Sequence, residues 1–300
     1  MRIGVALAIV LRPDRCAQPA RRAPEDRLVG PGVTLMMGGG ERYRAAVAID
    51  ADVVAAALAA TWQHLAGALP GSWVLRDGGA IAWVSGVGLP TLNGVWAERA
   101  DPDPDAVAGL LDRVKATGLP YCLQLRPGAS AASAELAAAR AMSLEMQIPL
   151  MVMEDPAAVT RARPPAGLEL RELSPDQVGL HAAVAAAGFE APEELFVQLM
   201  TPDVLRLPGV RCYLADMDGR AVTTGIGVTL GDFVGVFNIA TPPAHRRHGY
   251  GAAVTVRAVA DGLAAGARCS WLQSSPPGYA TYTRLGFQTL ETWPCWVAPS

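Results

Sequence analysis

The run Arg246-Arg247-His248-Gly249-Tyr250-Gly251 constrains this chain more than any other segment of its length. It follows an apolar stretch, Phe233 to Ile239, closed by Thr241-Pro242-Pro243. It leads into Ala252–Ala260, where apolar positions recur at helical spacing. A strand, a glycine-bearing turn and a helix in that order build a cradle for phosphate. Glycines let the backbone come close to an anion, successive N–H groups point one way, and the helix N-terminus adds partial positive charge. The ligand this implies is a pyrophosphate. A second block, Tyr282-x-x-x-Gly286-Phe287, lies downstream.

Three nucleotide-binding readings compete for the turn. A Walker-type loop needs Gly-Lys-Ser/Thr, and the only lysine of the chain is Lys115. A dinucleotide fingerprint needs a third small residue within an early βαβ unit, and Val254 stands in that place, late in the chain. The third reading fits. Thr241-x-Pro243-x-x-Arg246-x-x-Gly249-x-Gly251 resembles the coenzyme A pyrophosphate motif of the GNAT acetyltransferase superfamily. Leu272-Gln273-Ser274-Ser275 with Gly278-x-x-x-Tyr282-x-x-x-Gly286-Phe287 resembles its following strand and helix. Either block alone is weak; both in the right order and spacing are strong.

The resemblance spans Gly167 to Pro299 and agrees with the local patterns. Strands are expected at Leu168–Leu173, Val210–Ala215, Ala221–Leu230, Phe233–Ala240, Cys269–Gln273 and from Phe287. Helices are expected from the Ser174-Pro175 start to Met200 with a break near Gly188, after the turn, and at Gly278–Leu285. Upstream, a helix is expected at Asp52–Leu69, strands at Ala80–Val87 and Gly94–Glu98, and a helix carrying Val107, Leu110, Leu111 and Val114 on one face. A strand at Tyr121–Leu125, a helix at Ser133–Met146 and a strand at Ile148–Met153 complete that half. This order repeats the later part of the C-terminal half. The chain is therefore similar to tandem members of the superfamily. The fold class is α/β (α+β), with two GNAT-like domains, each a twisted mixed sheet flanked by helices.

The resemblance implies a division of the chart of residues: 50–155 a degenerate copy, 156–167 a linker with three prolines, and 168–300 the acetyltransferase domain. In the first copy Asp101-Pro102-Asp103-Pro104-Asp105 occupies the cradle position. Carboxylates there take up the helix dipole and amides and repel a diphosphate. That copy is expected to be structural, walling one side of an acceptor pocket. Asn93-Gly94 and the Trp83/Trp96 pair read first as a turn and core filling, and second as pocket residues.

In the second copy the resemblance assigns roles. Ile239, Ala240 and Thr241 would line pantetheine and the thioester, where two parallel strands splay. Backbone N–H groups of Arg247, His248, Gly249, Tyr250, Gly251 and Ala252 would hold the pyrophosphate, and Arg246 and Arg247 would neutralise it. Ser275 and Gln273 would position pantetheine. Tyr282 would be the general acid, since a phenol with a reference pKa of about 10 suits a leaving thiolate. Tyr279 could substitute for it. The general base is open among Glu190, Glu193, Glu194, His181, Asn238, Asp232 and a water chain. His245 and His248 mimic a metal pair, but no carboxylate or cysteine completes a ligand set, so no metal is expected.

The resemblance thus implies acetyl transfer from acetyl-CoA, as co-substrate, to an amine on a small molecule or protein. The alternative is a non-catalytic acyl-CoA-binding sensor or scaffold. A net charge of -3 argues against nucleic acid or anionic membrane as partners. Cys16, Cys122, Cys212, Cys269 and Cys295 are scattered and read as buried thiols of a reducing, cytoplasmic protein. Val5–Leu11 lacks the flanks of a secretion signal, and residues 1–49 read as a disordered or non-native extension. Oligomeric state and acceptor identity leave no mark in the sequence.

Overall fold

The structure is a computed structural model and describes residues 49–154 and 163–299. The expectations for residues 1–48 and for most of the linker lie outside the described residues. Strands β2 (Ala80–Val84) and β3 (Asn93–Ala97) are buried at every position, so layers pack on both of their faces. The remaining elements of the first half are α1 (Ala51–Ala66), β1 (Trp73–Asp77), α2 (Pro104–Lys115), β4 (Cys122–Gln124), α3 (Ala131–Ala139) and β5 (Ser143–Met153). The second half holds β6 (Glu169–Glu172), α4 (Val178–Phe189), α5 (Glu193–Leu199), α6 (Pro202–Leu205), β7 (Val210–Met217), β8 (Arg220–Leu230) and β9 (Phe233–Ala240). It closes with α7 (Tyr250–Ala264), β10 (Cys269–Gln273), α8 (Pro276–Leu285) and β11 (Gln288–Val297).

Local chemistry sets the helix starts. Asp50 caps α1 by accepting from the Asp52 N–H at 3.2 Å. Asp103 caps α2 in the same way, and Pro104 fills its first turn without wasting a donor. The apolar face of α2 (Val107, Leu110, Leu111, Val114) is buried as its spacing requires. One expectation fails. The helix at Ser133–Met146 stops at Ala139, Ala141 turns left-handed at φ 52, and Ser143–Met146 begins a strand. Leu144 and Glu145 are good helix formers, but β5 pairs along β11 from Ser143 opposite Val297, and this long-range ladder overrides local preference.

The eleven strands of the described residues form one sheet in the order β1-β2-β3-β4-β11-β5-β10-β9-β8-β7-β6. Neighbours run antiparallel except for β3 with β4 and β9 with β10, which are parallel. The last strand of each half is exchanged: β11 lies between β4 and β5, and β5 lies between β10 and β11. Each half is therefore completed by the other, and the two form one compact unit. A further tie crosses the exchange. Arg126, 2% exposed at the end of β4, grips Glu291 of β11 with two nitrogens at 2.9 Å each. It also donates to the Glu98 carbonyl at 2.8 Å and reaches Asp52 at 2.6 Å.

The sheet is sharply curved. β3 and β9 are separated by four intervening strands, which in a flat sheet would hold them about 24 Å apart. Yet Trp62 of α1 touches Trp96 of β3 and Phe237 of β9, with ring centroids 5.7 and 5.3 Å away. The sheet wraps around α1, and this brings side chains of both halves to one cleft. Among the described residues no helix is long and apolar enough to cross a membrane.

Candidate active site

The turn between β9 and α7 has an unusual backbone. Arg247 sits at φ 70, and Gly249 caps α7 at φ 81, a conformation open to glycine without steric cost. Holding a non-glycine residue in that region costs about 1–2 kcal/mol. The result is a concave run of amides. No acceptor among the described residues takes the N–H groups of Arg247 to Ala252; protein bonds resume with Ala253 to the Gly249 carbonyl at 3.0 Å. Such a run at a helix N-terminus is an anion site by construction. Gly251 lets the helix press against β9, since a Cβ there would stand 3.3 Å from Ile239 and from the Thr241 hydroxyl.

The side chains of the motif divide. Arg246 donates to the Thr241 carbonyl at 3.1 Å, to the Gly188 carbonyl at 2.8 Å and to Glu190 at 3.1 Å. It ties the end of β9 to the end of α4, which differs from the phosphate contact expected of it. Arg247 is exposed and takes no partner among the described residues. His248 donates from Nδ1 to the His245 carbonyl at 3.3 Å and stacks on Tyr250. Among the described residues no cluster of three or more His, Cys, Asp or Glu could hold a metal.

β9 and β10 pair only from Phe233–Gly235 against Cys269–Trp271, and then part. Beyond that point β9 bulges against β8, with Asn238 at φ 48. A cleft of about 680 Å³, its open mouth included, runs through the gap. Of the expected pantetheine residues, Ile239, Ser275 and Gln273 line it, together with Tyr282. Ala240 instead faces α4 in a small apolar cluster, and the Thr241 hydroxyl bonds Thr223 at 2.9 Å. Gln273 reaches Gln124 of the first half at 3.3 Å.

Tyr282 stands on α8, its ring edge-on to Phe287 at 5.9 Å. Burial pushes its phenol up to about 12, so it stays protonated throughout the physiological range. Gly278, one turn earlier, lies under the ring: a Cβ there would come within 2.8 Å of it. The sequence carries this signal as the Gly278-x-x-x-Tyr282 spacing of the second block. Tyr279 does not share the position. It is exposed, and its hydroxyl meets Thr289 at 3.1 Å.

Of the candidate bases, Asn238 alone lines the cleft among the described residues, and its amide is not basic. Glu190 caps α4 in a left-handed conformation and pairs with Arg246. Glu193 and Glu194 are exposed in the first turn of α5. Asp232 lies at the opposite end of β9, where its carbonyl takes the Arg268 and Cys269 amides. His181 is fully buried away from the cleft lining. Thr224 donates to the Tyr213 carbonyl at 2.7 Å, so its oxygen accepts from the Nδ1–H of His181, also at 2.7 Å.

Burial lowers His181 to about 4. An unfolded histidine binds its proton from about pH 6.5, so below that pH the unfolded chain gains a proton the native state refuses. Stability is complete above about 6.5 and falls toward pH 4, by roughly 3 kcal/mol for this group. Melting curves from pH 7.5 to 4.5 should therefore show a steeper acid loss for the native chain than for His181→Leu. Parallel curves would dismiss the effect.

The corresponding place in the first half is closed. Asp103 occupies the N-terminus of α2 with its carboxylate on the Asp105 amide at 3.0 Å. The Gly78 carbonyl takes the Asp103 amide at 2.8 Å, and the Gly79 carbonyl takes those of Glu98 and Arg99. The β1–β2 turn thus fills the space a diphosphate would need. Asn93 is a structural anchor, with Ser85 on its oxygen and three carbonyls on its nitrogen. Trp96 does line the cleft, while Trp83 lies stacked beneath Trp62 at 4.2 Å. Trp62 and Thr91 line it too, and sequence reasoning missed both.

No family model and no curated protein sequence matches the chain. Solved structures do. A GCN5-related N-acetyltransferase from Kribbella flavida is similar over 82% of this chain and 96% of its own, with TM-score 0.63 and 20% identity. A tandem GNAT protein from the clavulanic acid biosynthesis pathway is similar over 78% of this chain and 86% of its own, with TM-score 0.52 and 18% identity. The fold is the tandem GNAT fold. A protein of unknown function from Staphylococcus epidermidis ATCC 12228 shares it, with TM-score 0.58, 12% identity and coverage of 77% and 94%. Within the tandem GNAT fold of this chain, one half keeps an open amide turn beside the splay and the other has closed it.

Proposed function

We propose that the chain is an N-acyltransferase moving an acetyl group from acetyl-CoA to an amine within a ternary complex. The observation that carries this reading is the meeting, at one strand splay, of six turn amides without an acceptor among the described residues and a protonated phenol. The amides of Arg247 to Ala252 would hold the diphosphate, with Arg247 as the available cation. The edge of β9 beyond Gly235, unpaired toward β10, would align pantetheine between Ile239 and Ser275. The first half supplies a wall and no second coenzyme site.

The chemistry asked of the protein is modest. The acceptor nitrogen adds to the thioester carbon, a C–N bond forms and the C–S bond breaks. Tyr282 gives its proton to the departing sulfur, and the proton lost by nitrogen restores the phenol through solvent. A phenol held at about 12 is a reluctant base, so deprotonation of an ammonium does not fall to Tyr282. Titration calorimetry with acetyl-CoA and with free CoA tests the binding half. Thiol release across a panel of amines tests the transfer half. Heat of binding with no thiol release under any amine would favour an acyl-CoA sensor; no heat at all would end the reading.

A further inference from the structure

Among the described residues, four of the eight buried polar side-chain atoms without a hydrogen-bond partner belong to the cleft lining: the indole nitrogens of Trp62 and Trp96, the Thr91 hydroxyl and the Asn238 side-chain oxygen. Their residues are 5%, 2%, 6% and 5% exposed. Buried groups of this kind are nearly always paired, and four gathered on one cleft mark a built site. Three come from the first half, which has no coenzyme cradle of its own. Among the described residues the same lining contains no Asp, Glu, Lys, Arg or His, and Tyr282 is its only titratable side chain. The nearby ionic pair, Glu190 with Arg246, neutralises itself.

From this set we infer that the acceptor is a small, flat molecule whose attacking nitrogen is already uncharged near neutral pH and which presents oxygen acceptors to Trp62 and Trp96. The inference rests on the proposed acyl transfer and names its substrate class. Indole N–H groups only donate, so they ask for a carbonyl, hydroxyl or ether oxygen. A carboxylate there would be buried without a cation. An ammonium would have amide and hydroxyl oxygens but no carboxylate among the described residues of the lining. The rings do not rescue it by forming a cation cage. Trp62 is stacked on Trp83 and edged by Phe237, so its faces are filled by other rings. The Asn238 oxygen, on the bulge of the strand that would align the thioester, is placed to accept an N–H of the attacking nitrogen. An amine neutral on arrival also needs no general base from the described residues of the lining. Polyamines, aminoglycosides and lysine side chains are excluded on the same grounds.

The test compares 4-aminobenzamide (neutral amine, carbonyl acceptor) with benzylamine and spermidine, after calorimetry has verified that acetyl-CoA binds. The full chain should acetylate 4-aminobenzamide with a kcat/KM at least about a hundredfold above spermidine. Its rate should be flat from pH 6 to 8, while any benzylamine rate climbs with pH. Trp96→Phe and Thr91→Val should each lower kcat/KM for 4-aminobenzamide by about tenfold while leaving acetyl-CoA affinity unchanged. Asn238→Asp, which adds a carboxylate of equal size, should shift preference toward benzylamine by about tenfold or more. Faster acetylation of spermidine, or no acetylation of 4-aminobenzamide by a chain that binds acetyl-CoA, would overturn the inference and leave coenzyme binding standing. Absence of acetyl-CoA binding would remove both.

Discussion

Gly249→Asp is expected to abolish acetyl-CoA binding, with a loss of about a thousandfold or more by calorimetry, while melting temperature changes little. Two effects act together. The residue sits at φ 81, where any side chain costs about 1–2 kcal/mol. The new carboxylate would also stand against the diphosphate, where like charges at about 4 Å repel by roughly 4 kcal/mol in partly screened surroundings. Gly249→Ala separates the terms: it carries the strain without the charge, and because the turn holds φ 81 without ligand, its affinity should stay close to that of the native chain. Retained binding in the Asp variant would mean the turn does not hold the anion. Because Gly249 is exposed and a Cβ there would meet, among the described residues, only Pro165 at 3.6 Å, neither variant should unfold the chain.

Tyr282→Phe should lower the single-turnover rate by about a hundredfold and leave the Kd for acetyl-CoA unchanged. General acid catalysis contributes about 10²–10⁴-fold, and the ring of phenylalanine keeps the contact with Phe287. Single turnover is the right measurement, since product release can hide a chemical step. The pH dependence has a definite sign. With the phenol pushed up to about 12, this proton donor remains loaded as pH rises from 7 to 10, so no alkaline limb should arise from it in that range. An unchanged rate in the Phe variant would take Tyr282 out of the chemistry. Gly278→Val, which would drive a side chain into the Tyr282 ring, should reproduce part of the loss with the hydroxyl still present.

What the sequence disclosed was local. The amide turn and Tyr282 are written as spacings within single strand–turn–helix units, so Gly249, Gly251 and Tyr282 were legible before any fold was known. Helix ends and strand bounds followed from caps and alternation in most elements. What escaped was set by distant pairing. Ser143–Met146 looked helical because its neighbours are alanines, and only β11 makes it a strand. Trp62 and Thr91 reach the cleft because the sheet curves around α1, and no linear interval relates Trp62 to Phe237. The one available hint was the crowding of Trp62, Trp73, Trp83 and Trp96 into the first half. Arg246 is set by distant pairing as well: its guanidinium turns to the Gly188 carbonyl and Glu190, contacts that depend on where α4 ends.

The crossing of β5 and β11 has a consequence for how the chain comes off the ribosome. β4 is finished at Gln124, yet its neighbour β11 begins only at Gln288. At about 5–20 residues per second, the β4 edge waits on the order of ten seconds or longer for its partner to emerge. During that interval the nascent first half offers a bare strand edge and unburied tryptophans, the kind of surface that chaperones bind. Emergence of β11, and not completion of the first half, is the moment at which both halves can close.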